Sequence, residues 1–375
     1  MFRTWVVACC LMACVFAGDT SAPIARSGPW SARAAAAYLD SRLSWWIDWS
    51  HAGRDHQTFC VSCHTVVPYA MARPALRGDL EEQAPSSLER TVLENVTKRV
   101  RMWQAVDPFY GGVHAVESRG TEAVLNALIL VTGEAPSGAL SPDTRLAFDH
   151  MWAEQLKAGP SAGAWPWLQF KNAPFEGDSE YYGATLAAIA VGSVAASYRS
   201  APEIQPQMKL LREYLLRDYG SQILMDRVML LWASAKLPEL LTSAQQNAIA
   251  EEALSKQQAD GGFSLSSFVG AWQRRDRTPL ELRSDGYATG LVTLALQESG
   301  VARDQPQWRR AIAWLEQNQY AEGRWLAYSL NKQRDLESDV GRFMSDAATA
   351  YAVLALKRAN SSRAPQRESR LLPAE

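Results

Sequence analysis

An internal repeat of helical segments runs through most of the chain. One such segment ends at Gln258 and a Gly-Gly-Phe turn, and 61 residues later a second ends at Gln319 and a Gly-Arg-Trp turn. Each turn leads into a helix that is rich in small residues and opens with Ser-Asp, at 284–285 and at 345–346. A helix pair of this kind cannot bury its faces alone, so this period predicts helix pairs that stack or close into a ring.

Weaker copies of the same unit precede these two. Residues 152–167 lead into a small-residue helix at 181–186, and residues 122–128 form another. Residues 226–233 fill the long gap between Thr185 and Thr289. No strand-like alternation interrupts the helical pattern. The sequence therefore predicts an all-α protein, an α/α toroid of about five to six helix pairs with the small-residue helices inside.

The turn at the end of the second copy resembles a known repeat. Residues 310–325, with Gln319 and the Gly-Arg-Trp ending, closely resemble the QW motif of squalene/hopene cyclases and related prenyltransferases. The copy at Gln258 departs from the motif, because Phe263 takes the place of the Trp. The resemblance covers roughly 87–360 and implies a toroid in which the Gln and Trp tie one helix pair to the next.

The catalytic signatures of those families are absent from the sequence. It contains no Asp-x-Asp-Asp string, which cyclases use to protonate their substrate, and the repeats hold no Cys for a prenyltransferase zinc site or a thioester. Whether the toroid is an enzyme is therefore left open.

Five acidic residues lie near the starts of the expected inner helices. A ring of carboxylates at one mouth of the toroid would allow acid/base chemistry, as in (α/α) glycosidases. Capping of helix N-termini is the favoured interpretation, because unpaired N–H groups attract such side chains. Similarly, the tryptophans at 165 and 167 and at 45 and 46 could line a sugar or isoprenoid cleft, but core packing is favoured. The acids are Glu122, Glu180, Asp226, Asp285 and Asp346.

The N-terminus predicts export. Residues 1–17 contain an early Arg, an apolar run too short to span a bilayer, and a small-residue ending, as in a secretory signal. We expect a periplasmic or cell-surface protein with no transmembrane segment after cleavage; a lipoprotein anchored at Cys14 is the alternative. With 38 basic and 40 acidic residues, the net charge is −2, which gives no reason to expect nucleic-acid binding. Residues 361–375 are expected to be a disordered tail.

Signal removal would leave two cysteines, Cys60 and Cys63, directly followed by His64. This Cys-x-x-Cys-His pattern, within a helical segment at 28–80, is similar to the haem-attachment motif of c-type cytochromes. The resemblance implies haem c bound through two thioethers, with His64 as an iron ligand. The alternatives are a zinc site, which lacks a second ligand pair, a redox dithiol or disulfide, and a purely structural role.

The sequence thus favours an exported c-type haem protein on a squalene-cyclase-like toroid, acting in electron transfer or haem-dependent sensing with a redox partner protein. The alternatives are a haem-free toroid that binds an isoprenoid lipid or glycan, and a terpenoid-cyclase-like or glycan-active enzyme that uses the inner-mouth carboxylates. The sixth iron position is left open, including the option of no ligand. Its candidates are Met71, Met102, His51, His56 and His114.

Overall fold

The computed structural model describes residues 29–134, 138–177, 180–300 and 305–363. The predicted signal at 1–17 lies outside these ranges, as do residues 364–375 of the expected tail. Within them the regular secondary structure is helical, apart from one short hairpin, which confirms the predicted all-α class. The helices are α1 Ala32–Asp48, α2 Val66–Ala72, α3 Ser87–Arg101, α4 Ala115–Thr132, α5 Pro142–Glu154, α6 Tyr181–Gly192, α7 Ala196–Arg199, α8 Gln205–Asp218, α9 Leu224–Lys236, α10 Ser243–Ser255, α11 Gly286–Ser299, α12 Pro306–Gln317 and α13 Phe343–Arg363, and the strands are β1 Gly53–Arg54 and β2 Thr58–Phe59.

Six helices form a closed inner ring. In the order α2, α4, α6, α9, α11 and α13 each contacts the next, and α13 contacts α2 again. The other long helices, α1, α3, α5, α8, α10 and α12, pack on the outside of this ring. The predicted α/α toroid is therefore confirmed, and α1 and α2 provide the pair that completes it.

The composition of the helices explains which of them lie inside. In α6 every residue from Tyr181 to Val191 is buried, because small and apolar side chains occupy all of its faces. In the outer helix α12 the buried residues are confined to one face, at Ala311, Ile312, Trp314 and Leu315. A helix that is apolar all round is stable only when neighbours surround it.

Gln319 joins the last helix pair to the first. Its Nε2 donates to the carbonyl of Gly323 at 3.0 Å, in its own turn, and to that of Ser31 at 3.1 Å, just before α1. Its Oε1 accepts from the N–H of Ser31 at 2.6 Å. Trp325 is fully buried beside this turn, and its Nε1 donates to the carbonyl of Leu315. These contacts are the linkage that the repeat implies.

Two further glutamines, Gln155 and Gln257, make the same kind of bridge. Each donates to a glycine carbonyl in its own turn and to a carbonyl at the start of the next outer helix. The acceptors are Gly163 and Gln207 for Gln155, and Gly261 and Gln307 for Gln257. The position predicted at Gln258 is therefore wrong by one residue, since Gln258 donates instead to the carbonyl of Leu282.

The turn glycines are required by this packing. Gly163, Gly261 and Gly323 have φ angles of +102°, +91° and +104°, which L side chains rarely adopt. A Cβ at Gly323 would also lie 2.0 Å from the carbonyl oxygen of Ala34 in the next outer helix. The glycine thus permits both the turn and the close approach of the neighbouring pair.

No helix in the described ranges combines the length and the apolar character that crossing a membrane requires.

Candidate functional site

The starts of the inner helices share one mouth of the toroid, which we call the N-terminal mouth. The sequence predicted five acids at this mouth. Two of them, Asp285 and Glu122, have partners that explain their burial. Asp285 is the N-cap of α11 and accepts from the N–H of Ala288 at 2.9 Å and that of Leu265 at 2.5 Å. Glu122 pairs with Arg99 at 2.6 Å, and neither side chain has any exposure. Capping is confirmed for Asp285, whereas Glu122 serves a buried ion pair.

Glu180 and Asp346 are also engaged. Glu180 occupies the N-cap position of α6 without a capping hydrogen bond and accepts instead from Ser161 and Gln169, at 3.2 and 3.1 Å. Asp346 is buried in α13 and accepts from the Tyr38 hydroxyl, the Arg42 guanidinium and Thr65.

Asp226 differs from the other four. It lies in the first turn of α9 with 8% exposure, and we find no hydrogen bond or ion pair to its carboxylate from the described residues. Burial alone raises its pKa to about 7. Its side chain lines a cavity of about 210 Å³ at the N-terminal mouth. The other lining residues are Ala173, Pro174, Gly177, Tyr182, Ser221, Gln222, Ile223 and Trp272.

Aromatic side chains form part of this cavity wall. Trp272 lies in the long loop before α11, and its Nε1 donates to the carbonyl of Leu330 at 2.8 Å, which fixes the ring. Tyr182 comes from the start of α6. Glu176 belongs to the loop that provides three further lining residues, and burial raises its pKa to about 7. Neither Trp272 nor Glu176 was predictable from the repeat pattern, because both lie in loops outside it.

Core packing, the favoured interpretation of the tryptophans, is confirmed for Trp165, Trp167 and Trp46, while Trp45 is half-buried. Trp165 and Trp167 have no exposure, and each donates its Nε1 to a backbone carbonyl. Trp46 is buried and donates to the carbonyl of Cys60 at 2.8 Å, while the Trp45 ring stacks on Trp49 at 5.1 Å.

Cys60, Cys63 and His64 lie just before α2, so they also reach the N-terminal mouth. Both cysteines are buried free thiols, and burial raises the pKa of Cys60 to about 12. The ring of His64 stacks on Phe343 with centroids 3.8 Å apart and contacts Trp46 edge-on.

A hydrogen-bond chain orients His64. Its Nδ1 lies 2.9 Å from the hydroxyl of Thr65, which donates its own proton to Asp346 at 2.7 Å. The hydroxyl therefore accepts from Nδ1–H, and Nε2 keeps its lone pair. Burial lowers the pKa of His64 to about 3, so the ring is neutral and Nε2 can accept a hydrogen bond from a ligand.

Three of the candidate sixth iron ligands have neighbours that differ from those of His64. Met71 lines a cavity at the opposite mouth. His114 lies 3.0 Å from Glu117, and His56 lies 3.7 Å from Asp55.

The fold is similar to that of solved glycosidases. An unsaturated glucuronyl hydrolase from Bacillus sp. GL1, described as responsible for the degradation of glycosaminoglycan, aligns with 11% identity and a TM-score of 0.51, over 87% of this chain and 94% of that chain. Another glycosidase aligns with 11% identity and a TM-score of 0.40, over 90% of this chain and 91% of that chain. A glycosidase variant in complex with glucose aligns with 12% identity and a TM-score of 0.38, over 87% of this chain and 86% of that chain. No family model matches the chain, and neither does any curated protein sequence.

These findings correct one prediction and support another. The structural relatives are toroid glycosidases and not cytochromes, and within the described ranges no three His, Cys, Asp or Glu side chains lie where they could hold a metal ion. The classification as an electron-transfer cytochrome with an iron centre is therefore wrong, while covalent attachment of haem c to Cys60 and Cys63 stays a prediction. What the chain shares with its structural relatives is the α/α toroid.

Proposed function

We propose that the chain is a glycan-active enzyme in which Asp226 donates a proton to the leaving oxygen of a terminal sugar unit. One observation carries this proposal: a buried carboxyl group that has no partner among the described residues opens onto an aromatic-walled cavity. A structural acid would be expected to have a cap or a cation as its partner, as Asp285 and Glu122 have.

The protonation state of Asp226 suits a general acid. With a pKa of about 7, the carboxyl group keeps its proton at and below neutral pH and can release it to a developing negative charge. An ordinary aspartic acid would already be ionised. Glu176, also with a pKa of about 7, belongs to the loop that provides three lining residues, and its charge acts on Cys60, Cys63 and Tyr110.

The cavity suits a sugar in shape and chemistry. Trp272 and Tyr182 offer apolar ring surfaces together with fixed polar edges, which matches the mixed character of a pyranose. A volume of about 210 Å³ lies below the range of about 300–1,000 Å³ for drug-sized ligands. We therefore infer that one terminal unit enters, and that the rest of the glycan stays outside.

One observation and one prediction agree with this proposal. The toroid fold is shared with a hydrolase described as responsible for the degradation of glycosaminoglycan, although that likeness is one of fold. The predicted signal at 1–17 would deliver the protein to the periplasm or cell surface, where polymeric glycans are found.

The test compares Asp226→Asn with the wild type and with Asp149→Asn, the same substitution at an exposed site on α5. The substrates are aryl glycosides and disaccharides released from glycosaminoglycans. We expect Asp226→Asn to lower kcat by a factor of about 10²–10⁴ and Asp149→Asn to have no effect. Unchanged turnover in Asp226→Asn would refute the acid role, and sugar binding without turnover would identify a binding protein instead of an enzyme.

A further inference from the structure

Arg334 is a cation without an anion beside it. Among the arginines in the described ranges that are partly or fully buried, it is the one for which we find no hydrogen-bond acceptor. By contrast, Arg42 and Arg99 each donate to a carboxylate. Burial lowers the pKa of Arg334, and no carboxylate opposes this effect. Because withdrawal of an unpaired charge from water is unfavourable, this position favours a bound anion.

The loop that carries Arg334 lies against the wall of the cavity at the N-terminal mouth. The carbonyl of Leu330 accepts from Trp272 Nε1 at 2.8 Å, and Trp272 is one of the lining residues. The N–H of Gln333 donates to the Asp276 carboxylate at 2.7 Å, four residues after Trp272. Arg334 directly follows Gln333, so these backbone contacts fix it near the same mouth.

His64 is the second polar group of this region. Its ring stacks on Phe343, at which the same loop ends, and the charge of Arg334 acts on this ring. The Nδ1–H group donates to Thr65, while Nε2 has no partner among the described residues. A donor of charge-assisted hydrogen bonds and a hydrogen-bond acceptor therefore lie near each other.

Both groups lie outside the cavity wall but close to it. The ring of Phe175 contacts those of His64 and Tyr182, with centroids 6.3 and 6.0 Å apart, and Tyr182 lines the cavity. None of the described lining residues is a Lys, Arg or His. A negative charge on the glycan would therefore find its cation outside the cavity, beside the terminal unit.

We propose that Arg334 and His64 bind an acidic sugar, the second unit of a glycan whose terminal unit enters the cavity. The Arg334 guanidinium pairs with the carboxylate or sulfate of that sugar through two N–H groups. His64 Nε2 accepts a hydrogen bond from a hydroxyl group of the same sugar. This inference rests on the proposed glycan function and adds the class of substrate, an acidic glycan.

Matched disaccharides test the proposal by calorimetry and by turnover. Each has glucuronate as its second unit and is compared with its carboxyl-reduced form, in which a CH2OH group replaces the carboxylate. We expect the affinity and kcat/KM to be about 10- to 100-fold higher for the glucuronate form, as for a charge-assisted hydrogen bond. A third form, with a sulfate ester on a neutral second unit, distinguishes sulfate from carboxylate. Equal values for all three forms would overturn the proposal.

Variants of Arg334 assign the preference to one side chain. Arg334→Gln should abolish it and leave the values for the carboxyl-reduced form unchanged. Arg334→Lys should retain part of it, because an ammonium group keeps the charge but not the paired N–H groups. Arg33→Gln, at an exposed arginine in the first turn of α1, is the matched control and should change nothing. An equal loss for both forms in Arg334→Gln would show a structural role and overturn the proposal.

The role of His64 has its own variant. His64→Phe keeps a ring against Phe343 and removes the Nε2 acceptor. Because both forms carry the hydroxyl group, we expect both to bind about three- to tenfold more weakly. Unchanged binding would overturn the role of His64.

Failure here and failure of the proposed function are distinguishable. Binding that prefers the acidic form and depends on Arg334, without turnover, would support this site and refute the acid role of Asp226. Turnover without any preference for the acidic form would support Asp226 and overturn this site.

Discussion

Arg42 and Asp346 connect the first and last helix pairs of the ring. Although they are 304 positions apart, the guanidinium Nε lies 2.8 Å from the carboxylate Oδ1, and the side chains are 3% and 1% exposed. The same carboxylate accepts from Tyr38 on α1 and from Thr65 just before α2. One buried carboxylate therefore holds three elements together where the toroid closes.

Removal of Arg42 should destabilise the fold strongly. In Arg42→Ala, Asp346 stays buried without its cation, and we expect the free energy of unfolding to fall by about 3–5 kcal/mol. Urea denaturation measures this loss. Arg101→Ala is the control, because its pair with Asp143 is exposed and should contribute no more than about 1 kcal/mol. Similar losses in both variants would show that the closing pair is no stronger than a surface pair.

Asp226 should make the stability depend on pH. The unfolded carboxyl group ionises near 3.8, whereas the folded one keeps its proton until about 7. Between these values the unfolded state binds fewer protons, so this group lowers stability as the pH rises. Asp226→Asn should therefore gain stability relative to the wild type from pH 4 to pH 8, by an amount on the order of 4 kcal/mol.

The comparison uses denaturant unfolding of both proteins at each pH. Glu176 and Asp285 have similarly raised pKa values and are present in both, so their contributions cancel in the difference. A difference that does not change with pH would mean that Asp226 titrates normally. The activity of the wild type should also depend on this proton. We expect its kcat/KM to fall above a pH of about 7, because the acid then loses the proton that it donates.

Gly323 should tolerate no side chain. In Gly323→Ala the new Cβ would meet the carbonyl of Ala34 at a residue whose φ is +104°, and we expect a loss of at least about 3 kcal/mol. Gly300→Ala is matched for positive φ, at +74°, but its Cβ would meet no atom of the described residues within 4 Å, so it should cost about 1–2 kcal/mol. Thermal unfolding compares the two. Equal losses would assign the whole effect to backbone strain.

The two thiols should be inert in the folded protein. Burial raises the pKa of Cys60 to about 12 and also raises that of Cys63, so almost no thiolate forms at pH 8. In a chain that begins after residue 17, iodoacetamide should modify neither cysteine before unfolding and both after it, as mass spectrometry would show. Two unreactive sulfurs in the unfolded chain would instead indicate thioethers or a disulfide.

The toroid was predictable because its determinants are local and repeated. Each Gln and Gly of the repeat acts within one turn and on the start of the next helix, so the pattern is visible in the sequence wherever a copy occurs. The shift from Gln258 to Gln257 shows where such a repeat pattern is ambiguous. Adjacent glutamines look equivalent until the direction of each side chain is known.

The role of each acid depended on what surrounds it. Asp226 and Asp285 both lie near the start of an inner helix, and their sequence positions allow the same two candidate roles, capping and acid/base chemistry. Folding gives Asp285 two backbone N–H donors, while it gives Asp226 a cavity wall made by a loop about fifty residues away. Likewise, nothing local to residues 28–80 showed that α2 completes the ring. A repeat encodes the geometry of neighbouring segments, but the partner of a buried side chain is set by which distant segments meet, and that depends on the packing of the whole chain.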